Sequence, residues 1–280
     1  MKTPVRLVAL DMDGTLLNAA NEISEENKNV IRKACEAGVE VVISTGRPYV
    51  GLHEDELVPL GVHYAITANG AAVYRMPEKE CIYSNLIDHE IVCPIIRELQ
   101  KLDIHMNAFV GGFRYGETSE LSMIEKLTMP PATREFIRST TIAVEDLAAY
   151  LEENKLGVEK MTLNFYPLED GNFKDRERVK QLLDANPQVT YLSGGFANLE
   201  ITKTGTTKGT GLRVLADTLG ISIAETMAVG DTGNDLDIIK TAGIGVAMGN
   251  AIEEVKKVAD FVTASNEEDG VAYAIRKFAL

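Results

Sequence analysis

The chain has 280 residues, of which 45% are hydrophobic and 25% are charged, as in an ordinary globular protein of one or two domains. Its formal net charge of -14, with no run of lysine or arginine, argues against a nucleic-acid-binding surface. The three cysteines are scattered along the chain, which is typical of a reducing compartment. Asp11 interrupts the N-terminal apolar run before a signal sequence could form, and no apolar segment is long enough to span a membrane. We therefore expect a cytoplasmic protein that binds no membrane.

Strand and helix patterns alternate in the first part of the chain. The apolar run from Leu7 to Leu10 predicts a buried parallel strand, and Val39 to Ser44 predicts a second one. Between them, Ser24 is a suitable helix N-cap, and Gly38 marks the end of that helix. The stretch from Tyr64 to Tyr74 has an Asn-Gly pair near its centre, which predicts a third strand followed by a hairpin.

The middle of the chain has a different pattern. Residues 85–190 interleave short strands with helices, which predicts an inserted α+β domain. Alternation of single strands and helices then resumes, so residues 1–84 and 191–280 are expected to form one discontinuous domain. The predicted fold class is α/β, a doubly wound, mostly parallel Rossmann-like sheet with an inserted α+β domain.

Two aspartates, Asp11 and Asp13, directly follow the first predicted strand. The carboxyl end of such a strand is where open α/β sheets bind ligands, and Gly14 permits a sharp turn behind the two carboxylates. Close carboxylates repel each other, and a hard dication such as Mg²⁺ would relieve that repulsion. The alternative interpretation is an ordinary Asp-Gly turn.

A second acidic cluster follows the predicted strand from Met227 to Val229. It contains Asp231, Asn234 and Asp235, and the last two begin a helix whose free N–H groups attract anions. Taken alone, this pattern is equally typical of a helix cap. Two strands of one parallel sheet would, however, direct both acidic clusters into the same crevice.

Two further elements suit phosphate binding. Thr45 and Gly46 follow the second strand and offer a hydroxyl and an unobstructed backbone N–H, although a plain turn would also explain them. Lys208 lies at the start of a predicted helix, where it opposes the helix dipole, so a bound anion would explain its position. For Arg47, contact with substrate, contact with the inserted domain and a structural ion pair all remain open.

These residues carry a family resemblance. In order and context, four parts of the chain resemble the four motifs of the haloacid dehalogenase superfamily. These parts are the segment from Asp11 to Thr15, the triplet from Thr45 to Arg47, Lys208, and the segment from Gly230 to Asp235. The chain is most similar to the Cof-type sugar phosphatases, which insert an α/β cap between the second and third motifs. The resemblance covers nearly the whole chain, and it implies a catalytic core over 1–84 and 191–280 with a cap over 85–190.

The resemblance also implies a mechanism. Asp11 would attack phosphorus, and Asp13 would act as general acid and then as general base. The cofactor would be Mg²⁺, held by Asp11, the backbone carbonyl of Asp13 and Asp231, with Asp235 as a ligand or a neighbour of the ligands. The groups expected around the phosphoryl oxygens are Thr45, Gly46, Lys208 and Asn234.

Three functions remain open from the sequence. The favoured one is a Mg²⁺-dependent phosphatase acting on a small phosphorylated metabolite, with sugar phosphates as the substrate class and a monomer or homodimer as the working form. The second is a phosphomutase of the phosphomannomutase type, because phosphomannomutases resemble this chain in core and cap. Such an enzyme would return phosphate to the sugar. A non-catalytic regulator that binds a phosphorylated metabolite is the third possibility.

Overall fold

The computed structural model describes residues 4–194 and 198–280 of the chain. The chain forms two compact units, a larger one made of Met1–Ser84 and Thr206–Leu280 and a smaller one made of Asn85–Gly205. Within the described ranges, none of the helices is both long and apolar enough to cross a membrane.

The elements follow one another in three segments. The larger unit begins with β1 (Leu7–Leu10), α1 (Glu25–Glu36), β2 (Glu40–Ser44), α2 (Glu54–Leu57), β3 (Tyr64–Thr67), β4 (Ala72–Arg75) and β5 (Glu80–Ser84). The smaller unit contains α3 (His89–Leu99), β6 (His105–Val110), β7 (Phe113–Glu117), α4 (Thr118–Leu121), α5 (Pro131–Thr140), β8 (Thr141–Val144), α6 (Leu147–Glu153), β9 (Lys160–Asn164), α7 (Arg176–Asp184), β10 (Val189–Ser193) and β11 (Leu199–Lys203). The larger unit is completed by α8 (Lys208–Thr218), β12 (Thr226–Gly230), α9 (Leu236–Thr241), β13 (Ile244–Ala247), α10 (Glu253–Val258), β14 (Phe261–Val262) and α11 (Gly270–Phe278).

The sheet of the larger unit has the strand order β14-β13-β12-β1-β2-β3-β4-β5. All neighbours from β14 to β3 are parallel, and β4 and β5 add two antiparallel strands at one edge. The predicted α/β class with a mostly parallel sheet is therefore confirmed. Strand β1 lies between β12 and β2, with Leu10 paired to Val229 on one side and to Ile43 on the other. The residues that follow these three strands consequently emerge at the same edge of the sheet.

The residues at both ends of the first helix have the conformations and contacts that the sequence predicts. The Ser24 side chain accepts a hydrogen bond from the Asn27 backbone N–H, which caps the start of α1. Gly38 has a φ of +85° just after the helix, a conformation that favours glycine. Val30 and Ile31 of α1 are fully buried, so the helix packs its apolar face into the core.

The sheet of the smaller unit has the order β10-β11-β9-β6-β7-β8 and is antiparallel except for the pair β7 and β8. Met106, Met161 and Leu163 belong to the apolar cluster that also contains residues of α3, α6 and α7. Because side chains alternate along a strand, neighbouring polar residues such as Asn107 and Lys160 lie on the opposite face. Both are nonetheless buried.

The second boundary between the units differs from the expected one. The sequence predicts that the second part of the first domain begins at residue 191, whereas in the structure it begins at Thr206. Strand β11 pairs antiparallel with both β9 and β10, so β10 and β11 complete the smaller sheet. The apolar alternation of Leu199 and Ile201 indicates a strand, but it does not show which sheet that strand joins.

Glu120 of the smaller unit gives a pH-dependent prediction. Its Oε2 accepts a hydrogen bond of 2.8 Å from the Met106 backbone N–H, and burial raises the pKa of this carboxyl to about 8. The folded state therefore retains a proton that the unfolded chain releases near its ordinary pKa of 4.5, so stability falls as pH rises from there through about 8. We expect Glu120→Gln to remove this loss and to raise the unfolding free energy near pH 9 by about 3–5 kcal/mol.

Urea unfolding at about pH 5 and about pH 9 measures this effect. The matched control is Glu153→Gln, since Glu153 is exposed. An unchanged pH dependence in Glu120→Gln would contradict the prediction.

Candidate active site

Three aspartates form a buried cluster at the carboxyl edge of the larger sheet. Asp11 follows β1, Asp231 follows β12, and Asp235 ends the short turn after β12. One carboxylate oxygen from each lies within 4.8 Å of the others. The parallel pairing of β1 with β12 thus brings the two acidic clusters of the sequence together, as expected from the strand pattern.

Lys208 is the cation of this cluster. It is the first residue of α8, whose start is fixed by reciprocal hydrogen bonds between Thr207 and Thr210. Its Nζ donates to Oδ1 of Asp11 at 2.7 Å and to Oδ1 of Asp235 at 2.6 Å, and its side chain is fully buried. The position of Lys208 at the start of a helix predicts a nearby anion. In the structure, two carboxylates of the protein itself lie there.

The cluster has more negative than positive charge. Burial raises the pKa of Asp11 well above its usual range, the Asp235 charge adds to this, and Lys208 opposes it. Burial also raises the pKa of Asp231 to about 6, with Asp235 again adding to the effect. The pKa of Lys208 is raised, because its two carboxylate partners outweigh the lowering effect of burial. Three buried carboxylates around one ammonium group fit a hard divalent cation with oxygen ligands.

The surrounding groups orient these carboxylates. The Thr15 hydroxyl donates to Oδ1 of Asp231 at 3.0 Å. Oδ2 of Asp235 accepts from the backbone N–H groups of Asp231 and Thr232, both at 3.0 Å, while its Oδ1 accepts from Lys208. Asp235 therefore holds the turn and the lysine together. The role of Thr15 was missed from the sequence, although it directly follows the turn glycine.

Gly14 allows this arrangement, and its replacement gives a second prediction. Its φ is +76°, and a Cβ added there would lie 2.5 Å from Oδ2 of Asp231. We expect Gly14→Ala to lower the unfolding free energy by about 1–3 kcal/mol and to weaken the binding of a divalent cation by the carboxylate cluster, because the methyl group displaces Asp231.

Gly38→Ala is the matched control, since Gly38 has a similar φ of +85° but no atom within 4 Å of an added Cβ. Thermal unfolding without and with added Mg²⁺ compares the two variants. Equal stabilisation of both by Mg²⁺ would show that the contact with Asp231 has no effect on cation binding.

Besides Lys208 of α8, the residues predicted to bind phosphate lie on the loops after β2 and β12, the two strands that flank β1. Thr45 is buried, and its Oγ1 accepts a 3.1 Å hydrogen bond from the Arg47 backbone N–H, so its own hydroxyl hydrogen can point elsewhere. Gly46 lies in the bend that follows and is half-buried. Asn234 lies in the turn Gly233–Asp235, also half-buried.

Asn69 contacts Asn234, whereas the sequence indicated a hairpin turn and part of the family resemblance at Asn69 but no contact with the site. Its Oδ1 accepts a 3.1 Å hydrogen bond from Nδ2 of Asn234. The next residue, Gly70, has a φ of +96°, and a Cβ there would lie 1.9 Å from the Thr207 carbonyl oxygen. Glycine is therefore required for this turn to approach the start of α8.

Asp13 lies apart from the carboxylate cluster. Its side chain is 62% exposed, and the Nε and Nη2 of Arg47 donate to its two oxygens at 2.9 and 2.6 Å. Of the three expectations for Arg47, the structure shows the ion pair. Because the metal ligand expected from Asp13 is its backbone carbonyl, its side chain is available for another role.

Comparison with known proteins identifies the family. The sequence pattern of the haloacid dehalogenase-like hydrolases matches residues 8–275. The chain belongs to the haloacid dehalogenase-like hydrolases. The resemblance carried by the four motifs is thereby confirmed.

Individual relatives agree with this assignment. The chain is 34% identical to the 5-amino-6-(5-phospho-D-ribitylamino)uracil phosphatase YcsE of Bacillus subtilis, covering 99% of this chain and 96% of the relative. A haloacid dehalogenase-like hydrolase from B. subtilis has a similar structure, with a TM-score of 0.81 and 29% identity over 99% of this chain and 100% of that one. The HAD subclass IIB sugar phosphatase BT4131 has a TM-score of 0.77 and 27% identity over 98% and 99% of the two chains. This haloacid dehalogenase-like hydrolase is thus an enzyme of the phosphoric monoester hydrolase class.

Proposed function

We propose that this hydrolase is a Mg²⁺-dependent phosphatase that hydrolyses small phosphorylated metabolites, with sugar phosphates as the substrate class, through an aspartyl phosphate on Asp11. The observation that carries the proposal is the buried cluster of Asp11, Asp231 and Asp235 around Lys208. Burying surplus negative charge is costly for a fold, so an arrangement of this kind supports a functional site.

The metal would be held by Asp11, Asp231 and the backbone carbonyl of Asp13, with Asp235 as a further ligand or as the residue that orients the others. When bound, Mg²⁺ would offset the negative charge of the nucleophile and of the phosphate. The oxygen-only donor set supports this assignment.

Asp11 is the proposed nucleophile and Asp13 the proposed acid and base. In the first step, an Asp11 oxygen bonds to phosphorus, the bond to the leaving oxygen breaks, and that oxygen takes the proton of Asp13. In the second step, a water oxygen bonds to phosphorus, its proton passes to Asp13, and the bond from phosphorus to Asp11 breaks. Both aspartates return to their starting states, and phosphate is released.

The phosphoryl oxygens would be bound by the Thr45 hydroxyl, the Gly46 N–H, Lys208 and Asn234. Donors of this kind stabilise the charge spread over those oxygens in a loose transition state. Their positions support this proposal. Thr45 and Gly46 follow β2, Asn234 follows β12 and Lys208 begins α8, and both strands lie beside β1, which carries Asp11 at its end.

The proposed substrate class rests on the relatives. YcsE is named for a phosphorylated ribityl compound, and BT4131 is a sugar phosphatase. Both names describe small phosphate esters of polyhydroxyl compounds. The three cysteines are free in the structure, which supports the proposal that the enzyme works in the reducing cytoplasm.

The proposal is tested by measuring phosphate release from a panel of sugar phosphates, phosphorylated polyols and nucleotides, with Mg²⁺ or with EDTA. Metal-dependent release from sugar or polyol phosphates is the expected result. Transfer of phosphate within a sugar phosphate that requires a bisphosphate activator would instead establish the phosphomutase. Tight binding of a panel member without release or transfer would establish a regulator.

A further inference from the structure

Arg47 is fixed in place more firmly than an ordinary surface arginine. Its Nη1 donates to the Gly51 carbonyl oxygen at 3.1 Å, and its Nη2 donates to Oδ1 of Asn21 at 2.9 Å. Its side chain is 16% exposed. The backbone N–H of Arg47 also donates to the Thr45 hydroxyl oxygen, so one residue contacts both the proposed phosphate-binding loop and the proposed acid and base.

The contact between Arg47 and Asp13 uses both oxygens of the carboxylate. Such a two-point contact sets the direction of the carboxylate as well as its distance, which a single ammonium group does not do. Asp13 needs this support because its side chain is largely exposed and lies outside the buried strand β1, just before the turn at Gly14. Without a fixed partner, an exposed carboxylate samples several rotamers.

We infer that Arg47 is the positioning residue for Asp13, and that it also stabilises the negative charge that Asp13 acquires when its proton passes to the leaving oxygen. This inference rests on the proposed function. In the structure both oxygens of Asp13 accept hydrogen bonds from Arg47, an arrangement that suits the carboxylate formed by the proposed proton transfer. Arg47 therefore contributes most to breaking the bond to a leaving oxygen that must be protonated.

Two substrates separate this role from phosphate binding and from folding. Ribose 5-phosphate has an alkoxide leaving group that requires a proton, whereas the leaving group of p-nitrophenyl phosphate is stable as an anion. The constant kcat/KM reports the steps up to the first irreversible one, which includes transfer of phosphate to Asp11. We expect Arg47→Gln to lower kcat/KM for ribose 5-phosphate by about 10- to 100-fold, and for p-nitrophenyl phosphate by less than about threefold.

Further variants keep the test decisive. Arg47→Lys, which keeps the charge but not the two-point contact, should fall between wild type and Arg47→Gln. In an Asp13→Asn background, Arg47→Gln should cause no further substrate-dependent loss, because the group it positions is gone. The control Arg75→Gln removes an exposed arginine of β4 that pairs with Glu80, and it should leave both substrates unaffected.

Equal losses on the two substrates, or an undiminished effect in the Asp13→Asn background, would overturn the inference. No loss in Arg47→Gln would overturn it as well. Failure of the unaltered enzyme to turn over either substrate with Mg²⁺ would instead overturn the proposed function, and with it the role assigned to Arg47.

Discussion

Replacing Asp11 by asparagine is expected to reduce phosphate release by at least about 10³-fold while the protein remains folded. The amide cannot form the proposed aspartyl phosphate, although its oxygen can still accept the hydrogen bond from Lys208. The substitution also removes one of the three buried carboxylates of the cluster, and one of the two that accept hydrogen bonds from that lysine. We therefore expect the metal-free variant to be at least as stable as the wild type.

The measurement pairs initial rates of phosphate release with urea unfolding in EDTA. Asp217→Asn applies the same chemical change at an exposed position of α8 and should alter neither quantity. Residual activity of Asp11→Asn within about tenfold of the wild type would contradict the nucleophilic role. A strongly destabilised variant would contradict the view that the cluster is held at a cost to stability.

Replacing Lys208 by methionine is expected to have the largest effect on stability. It leaves Asp11 and Asp235 buried without their cation, and loss of one partner from a buried ion pair typically costs about 3–5 kcal/mol. Activity should fall as well, since the proposed phosphate ligand is lost. Addition of Mg²⁺ should restore part of the stability, because a bound cation would replace the missing positive charge.

Unfolding of Lys208→Met in EDTA and in Mg²⁺ tests these expectations. The control Lys256→Met removes a partly exposed lysine of α10 that pairs with Glu253, and it should cost less than about 1 kcal/mol. The double variant Lys208→Met with Asp235→Asn should recover part of the lost stability. A cost for Lys208→Met no larger than that of the control would show that the lysine does not stabilise the cluster.

Features of the fold that depend on neighbouring residues could be predicted from the sequence. The strand from Leu7 to Leu10, the cap at Ser24 and the helix end at Gly38 follow from apolar runs and terminal residues, and the structure contains all three. The meeting of Asp11 with Asp231 was also predictable, because parallel strands deliver the residues that follow them to one edge of the sheet.

Features that depend on distant residues were not predictable from pattern alone. Lys208 and Asp11 are 197 positions apart, and the helix-dipole argument indicated an anion near Lys208 without indicating which one. Strand β11 shows the same local alternation whichever sheet it joins, so the boundary at Thr206 required the pairing itself. For Arg47, a structural ion pair was one of three alternatives, and its partner Asp13 was identified only once the loops were placed.

The central claim, that Asp11 carries the phosphoryl group during turnover, is tested most directly by acid quenching the enzyme during steady-state hydrolysis of ribose 5-phosphate with Mg²⁺. Mass spectrometry of the peptide that contains Asp11 then shows whether it has gained the mass of one phosphoryl group. The account predicts such an adduct on Asp11, which is absent with EDTA and absent in Asp11→Asn. Rapid phosphate release with an adduct on a different residue would contradict it.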